Sequence, residues 1–134
     1  MQSRKNIAAE KKRTFTHNCA QAVLCTYTDL TGLDEKTSQD IAGAYAAGMG
    51  NMEGTCGALV GAGMVLGMVM KDRNASVRSM KSVITSFQNR NGATICRLLK
   101  GVGTGEVLRE CPDCVADACE FLEEALPEEA KRKL

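Results

Sequence analysis

The seven cysteines in 134 residues are the side chains with the most chemistry to offer in this chain. Thiolates attack disulfides and bind zinc or iron–sulfur clusters. Cys56 follows Thr55 and Cys111 precedes Pro112, and the sequence predicts that a helix begins at each place. A helix start stabilises an anion, so we expect both thiols to have lowered pKa values. The alternative for Cys56 is a small buried apolar residue.

A CPDC segment places Cys111 and Cys114 at the two-residue spacing of redox dithiols and of metal knuckles. Residues three apart on a helix lie on neighbouring faces, so both sulfurs can meet one ligand. The sequence has no second CxxC to complete a zinc ribbon, and no βαβ pattern to indicate a thioredoxin-like fold.

The remaining cysteines differ in what their positions indicate. Cys96 stands in the first turn of a predicted short helix. Cys19 lies two residues after His17, the single histidine. Residues two apart on a helix point in different directions, so we do not expect His17 to act as a base for Cys19. We interpret Cys25 as filler and Cys119 as part of the core.

Helices are predicted to position these thiols. Aromatic residues and prolines are few, and apolar residues recur at three- and four-residue spacing. The fold is therefore predicted to be all-α, a compact single-domain bundle of about five to six helices. One domain covers residues 1–134, with about 1–12 and about 127–134 peripheral. The predicted helices cover 14–30, 34–47, 56–71, 75–89, 94–100 and the segment from 111 onward.

Some residues of these helices receive specific predictions. Asp34 and Thr55 are predicted N-caps, and Gly92 and Gly101 are predicted to end helices. The residues predicted to face inward include Phe15, Ile41 and Val77.

A small-residue face is predicted on the third helix, where Gly57 and Gly61 lie four apart. Each glycine costs a helix up to ~1 kcal/mol relative to alanine, so this face is expected to pack closely against something. A second copy of the chain would suit it as well as an internal helix, and a homodimer is therefore left open. The loop 48–54 holds three glycines, which permit positive φ angles.

Charge and hydropathy exclude several classes of partner. The net charge of +1 does not favour nucleic acid or an anionic membrane surface. The longest apolar run, 56–70, is shorter than the ~20 residues that span a bilayer. No secretory signal pattern is visible at the N-terminus. We therefore expect a cytoplasmic protein, in which cysteines more often serve as redox groups or metal ligands than as permanent cross-links.

Four segments together resemble one known family: NCAQAVL (18–24), CGALVG (56–61), CRLLKG (96–101) and CPDCV (111–115). It is the family named for its cysteine pattern, C-GCAxxG-C-C, and the resemblance covers about residues 15–125. It implies a small helical protein whose four signature cysteines have a redox role, which is a class and not a particular reaction. By position the signature cysteines are Cys19, Cys56, Cys96 and Cys111, with Cys114 as a rival for the fourth place.

Two functions follow as hypotheses, beside a purely structural bundle with incidental cysteines. In the first, the four thiols carry out thiol–disulfide or electron-transfer chemistry with a redox partner, with Cys56 as the attacking thiol and Cys111 or Cys19 as the resolving one. In the second, the same four cysteines bind an iron–sulfur cluster or a zinc ion, since four is the usual ligand number for both.

Overall fold

The structure, a computed structural model, describes residues 2–134 and is all-α throughout that range. It also contains a 3₁₀ turn at Cys25–Tyr27 and a π-type turn at Gly48–Met52. The predicted all-α fold is confirmed. The helices are α1 (Lys5–Arg13), α2 (Cys19–Leu24), α3 (Thr28–Thr31), α4 (Glu35–Ala42), α5 (Gly57–Met70), α6 (Arg73–Asn91), α7 (Cys96–Lys100), α8 (Cys111–Ala125) and α9 (Glu128–Lys131).

The centre of the bundle is the contact between α2 and α5, where two glycines let the backbones meet. A Cβ atom on Gly61 would lie 2.7 Å from the carbonyl oxygen of Ala20. One on Gly57 would lie 2.5 Å from the carbonyl oxygen of Tyr45 and 3.3 Å from the Cβ of Cys19. Both approaches exclude a side chain, so the predicted small-residue face packs inside the chain, against α2 at Gly61 and against Tyr45 and Cys19 at Gly57.

The first helix, α1, lies in a segment that the sequence analysis places at the periphery and to which it assigns no helix. It packs against α8 and buries Ala8. Arg4 anchors this end: its backbone N–H donates to Glu123 at 2.9 Å, and its guanidinium contacts both oxygens of Asp29. Tyr27 donates its hydroxyl proton to the same Glu123 carboxylate at 2.7 Å. These contacts are distant in sequence, so periodicity along the chain gave no signal for them.

The predicted helix over 14–30 is wrong at its N-terminal end. Phe15 adopts a positive φ of 62° and is 85% exposed, rather than facing inward. The helix begins instead at Cys19, because Asn18 accepts from the backbone of Gln21 while Gln21 accepts from the backbone of Asn18. This reciprocal capping satisfies N–H groups that a helix start leaves unpaired. Cys19 is therefore at a helix start and not in a helix interior.

The other cap predictions have mixed outcomes. Asp34 caps α4 as predicted, and Gly92 and Gly101 end α6 and α7 in the left-handed conformation. The prediction for Thr55 is wrong, because Thr55 forms an antiparallel bridge with Ile95 and the N-cap of α5 is the next residue.

Two inward predictions are also wrong. Ile41 and Val77 are 46% and 65% exposed. Their helices have other faces toward the core: Ala42 is buried on α4, and Val83 and Phe87 are buried on α6. Within residues 2–134, no helix combines the length and the apolar character needed to cross a membrane.

Substituting alanine for two glycines of α5 tests the close approach of α2 and α5. Gly61→Ala is expected to destabilise the protein by about 1–3 kcal/mol, because the new Cβ meets the backbone of Ala20. Gly67→Ala is the matched control on the same helix. Nothing lies within 4 Å of a Cβ there, so it should stabilise the protein by up to ~1 kcal/mol through helix propensity. Urea unfolding of both variants gives the comparison, and equal effects would contradict this account of the interface.

Candidate functional site: five thiols around one cavity

Four cysteines stand at helix starts. Cys19, Cys96 and Cys111 are the first residues of α2, α7 and α8, and Cys56 is the N-cap of α5. Helices α5 and α8 are long enough for their dipoles to favour an anion at this end. The four starts meet at one end of the bundle, so the topology brings together thiols that are up to 92 residues apart in sequence, from Cys19 to Cys111.

The antiparallel β-bridge between Thr55 and Ile95 holds the neighbouring residues Cys56 and Cys96 close together. The backbone N–H of Cys56 donates to Thr94 at 2.8 Å, and that of Cys96 donates to Gly54 at 3.0 Å. Gly48 packs against the same bridge and has a positive φ of +56°. A Cβ atom on it would lie 2.6 Å from the Cβ of Cys96. The glycine-rich loop 48–54 therefore packs directly behind the thiols, in the conformation its glycines permit.

The thiols surround a small cavity of about 20 Å³, called here the cysteine cavity. This volume holds about one water molecule or one ion. Cys114 lines the cavity together with Cys19, Cys56, Cys96 and Cys111. The lining residues are Cys19, Ala47, Cys56, Gly57, Cys96, Leu99, Lys100, Arg109, Cys111 and Cys114.

Cys111 and Cys19 form the first thiol pair. The interaction with the Cys19 thiol is the largest of the effects that lower the pKa of Cys111, to about 5, and the ammonium of Lys100 contributes in the same direction. The pKa of Cys19 shifts in the opposite direction, because its interaction with Cys111 and its burial both raise it. The two shifts are opposite in direction, so Cys111 is the thiol of the pair that ionises more readily.

Cys56 and Cys114 form the second pair. The Cys114 thiol has the largest lowering effect on the pKa of Cys56, and the backbone N–H groups of Ala58 and Leu59 in the first turn of α5 add to it. Burial opposes this shift. The interaction with Cys56 and burial both raise the pKa of Cys114. The expected lowering of pKa at the starts of α5 and α8 thus agrees in direction with the structure, although a neighbouring thiol is the larger cause in both.

The buried carboxylate of Asp117 positions Arg109, which lines the cavity together with Cys114. Asp117 is 3% exposed and accepts two bonds from Arg109, at 2.9 and 3.1 Å, and one from Arg90 at 3.0 Å. Asn91 donates to it at 3.1 Å. Arg109 is fixed by this bidentate pair and lines the cavity.

Cys96 is the one thiol of the cavity that belongs to neither pair, and burial raises its pKa.

Cys111 is partly exposed, unlike the other four thiols of the cavity, which are all buried. It also lines a surface cleft of about 270 Å³, called here the outer cleft. The lining residues of the outer cleft are Lys100, Val107, Arg109, Glu110 and Cys111. A reagent that enters the outer cleft therefore meets Cys111 before any other thiol of the cavity.

Two cysteines lie outside the cavity. Burial raises the pKa of Cys119 to about 12, and burial together with Glu35 raises the pKa of Cys25 to about 12. Cys119 is in the core as predicted. Each of the seven cysteines, all of which lie within the described residues, is a free thiol. His17 is near Cys25 and Glu35 rather than in the cavity.

Sequence reasoning did not identify Lys100 and Arg109 as parts of the site. Lys100 stands four residues after Cys96, one helical turn along α7, and that spacing was a usable signal. Arg109 lies in an irregular segment before α8, and its position depends on Asp117, which no local pattern indicates.

The fold and the site define a class: a small all-α protein whose thiols from separate helix starts meet at one cavity. The chain belongs to the family described as "Putative redox-active protein (C_GCAxxG_C_C)", whose family model matches residues 17–125. The resemblance found in the sequence is thereby confirmed. No curated protein and no solved structure matches the chain.

The pH dependence of alkylation tests the state of Cys111. Its alkylation by iodoacetamide is expected to reach half its maximal rate near a pH of about 5. An ordinary thiol would do so near ~8.5. As the pH falls toward the lowered pKa, the thiolate should persist, and below it protonation should stop the reaction. Peptide mass spectrometry after short exposures measures the rate at Cys111 alone.

Two variants separate the causes of this shift. Cys19→Ala removes the largest effect that lowers the pKa of Cys111, and Lys100→Met removes a smaller one. The pH midpoint of Cys111 alkylation should therefore rise in both variants, and rise further in Cys19→Ala. Lys36→Met is the control, since Lys36 is exposed and pairs with Asp40 on α4. A wild-type midpoint near ~8.5, or no effect of either variant, would refute the assignment.

Proposed function

We propose that this protein carries out thiol–disulfide exchange, with Cys111 as the entry thiol and the cysteine cavity as the place where the electrons are held. The observation that carries the proposal is the position of Cys111. It is a thiol of lowered pKa, lies between the outer cleft and the cavity, and has a second thiol beside it. The cytoplasm, where thiols are kept reduced, belongs to the same proposal.

The first step is attack on a disulfide of a partner protein or small molecule. The Cys111 thiolate attacks one sulfur of the substrate disulfide, a mixed disulfide forms, and the other substrate sulfur leaves as a thiolate that takes a proton. Cys19 then loses its proton and attacks the Cys111 sulfur, which releases the second substrate thiol. Cys19 and Cys111 are thereby oxidised to a disulfide. The substrate disulfide has accepted two electrons and is reduced to two thiols.

We infer the roles of the thiols from their burial. The sequence predicts that Cys56 attacks first, but Cys56 is 6% exposed and lines the cavity, which favours Cys111 for this step. A substrate disulfide in the outer cleft reaches Cys111 without rearrangement of the helices. Lys100 lines both the cleft and the cavity, where its charge stabilises the Cys111 thiolate before attack.

Trapping experiments test this order of attack. Cys19→Ser is expected to accumulate a mixed disulfide between Cys111 and a disulfide substrate such as oxidised glutathione, because the resolving thiol is missing. Cys111→Ser should form no such adduct at Cys19. Cys25→Ser is the cysteine control outside the cavity and should resolve the adduct as wild type does. Intact-mass and peptide mass spectrometry identify each product. Adducts that form first on Cys56 or Cys96 would contradict the assignment.

A second candidate function is metal binding by the same site. Cys19, Cys56, Cys96 and Cys111 around one cavity supply the four thiolates that zinc or an iron–sulfur cluster takes. The cavity volume of about 20 Å³ suits a single ion, whereas a cluster would require the four helix starts to separate. An iron–sulfur cluster would supply one-electron transfer, and zinc would supply a structural cross-link.

Metal and sulfide analysis of protein purified without oxygen decides between the two candidates. Thiol exchange predicts colourless protein without iron or acid-labile sulfide, with titratable thiols in the cavity and with any bound zinc retained in Cys111→Ser. Iron with sulfide and a broad visible absorbance would establish the cluster instead. Stoichiometric zinc that is lost in Cys111→Ser would establish a zinc site in the cavity. Asp40→Asn, a change on the exposed face of α4, controls for nonspecific binding.

A further inference from the structure

A second cluster of metal-ligating side chains lies outside the cysteine cavity and has no part in the proposed thiol exchange. It consists of His17, Cys25 and Glu35, whose ligand atoms all lie within 4.8 Å of one another. We propose that these three residues bind a divalent transition metal of the zinc class, with the fourth coordination position open to solvent.

The imidazole of His17 is already oriented for this role. Its Nδ1 lies 2.8 Å from the hydroxyl oxygen of Thr16, and its Nε2 lies 2.9 Å from Glu35 Oε1. When Nδ1–H donates to Thr16, the lone pair of Nε2 faces the cluster. Metal-binding histidines are usually fixed in this way by a partner on the other ring nitrogen. The backbone N–H of His17 donates to Lys11 at 3.3 Å, which ties the segment to the end of α1.

The carboxylate and the thiol come from two other elements. Glu35 is the first residue of α4, whose start is fixed by the N-cap Asp34, and Gln39 donates to Glu35 Oε1 at 3.1 Å. Cys25 begins the 3₁₀ turn after α2 and is buried. The three ligands therefore converge from a loop, a turn and a helix start, each positioned by contacts other than the cluster itself.

The donor set and the distances suit zinc. Zinc takes nitrogen, sulfur and oxygen ligands, and catalytic zinc sites have three protein ligands and one open position. Tetrahedral bond lengths require ligand atoms about 3.5 Å apart. On metal binding, the distance of 2.9 Å between His17 Nε2 and Glu35 Oε1 must increase slightly. The Cys25 sulfur, now within 4.8 Å of both atoms, must move closer to them. These movements are of the size of small side-chain rotations.

The charges also balance. The Cys25 thiol loses its proton to solvent on binding, so one thiolate and one carboxylate offset the two positive charges of the ion. Glu35 is 51% exposed at its side chain, which leaves the fourth position accessible to water. Lys11 is the cation beside this site, with its ammonium 3.3 Å from the carbonyl oxygen of Cys25.

The single histidine gives this site a direct spectroscopic readout. Protein labelled with ¹⁵N-histidine is titrated with Zn²⁺ in the presence of a competing chelator. We expect the Nε2 resonance to move with saturation while Nδ1 keeps its proton. Thr16→Val should weaken binding ~10- to 100-fold, as loss of an orienting partner does. Cys25→Ser and Glu35→Gln should weaken it at least as much, and Asp40→Asn, another acid of α4, should not.

Cavity variants separate this site from the cysteine cavity. Cys111→Ser is expected to leave the zinc-dependent movement of the His17 resonance unchanged, whatever it does to thiol exchange. The proposal is overturned if Zn²⁺ leaves the Nε2 resonance in place, or moves it equally in wild type and Cys25→Ser. It is also overturned if Cys111→Ser removes all zinc binding. Circular dichroism of each variant confirms that the fold is intact before the titrations are compared.

Discussion

The backbone contact between α2 and α5 is the constraint on which the rest of the structure depends. Because Gly57 and Gly61 carry no Cβ, the first turns of the two helices can touch, and this places Cys19 against the start of α5. The bridge between Thr55 and Ile95 then fixes α7 to the same end, and α8 packs on α1, α5 and α6. Interiors are close-packed, so a side chain at either glycine would displace helices that carry the site.

Burial of negative charge is the second constraint. A thiolate in an apolar cavity is unfavourable unless donors surround it. Here a neighbouring thiol opposes that cost in each pair: Cys19 lowers the pKa of Cys111, and Cys114 lowers the pKa of Cys56. The ammonium of Lys100 acts in the same direction on Cys111. In the proposed exchange, oxidation of a pair to a disulfide removes the negative charge from the cavity.

Much of the fold follows from the sequence where the signal is local. Gly92, Gly101 and Asp34 act where their residue types predict, and Pro112 begins α8, because caps and stops depend on a few neighbouring residues. Phe15 shows the limit: apolar spacing continues through it, but the capping of Asn18 starts the helix later. The docking of α1 depends on Glu123, more than 100 residues away. Similarly, the family resemblance singled out Cys19, Cys56, Cys96 and Cys111 and the CxxC spacing added Cys114, while the pairing of Cys114 with Cys56 depends on tertiary packing.

Selectivity among seven thiols follows from the same geometry. Cys25 and Cys119 are as buried as the cavity thiols, yet burial raises the pKa of each to about 12, and the groups around them do not offset it. Inside the cavity, burial is opposed by a proton-donating neighbour, and one thiol of each pair has a lowered pKa. Of these two, Cys111 alone reaches the outer cleft. Pairing thus sets which sulfurs are ionised, and exposure sets which of them meets a substrate first.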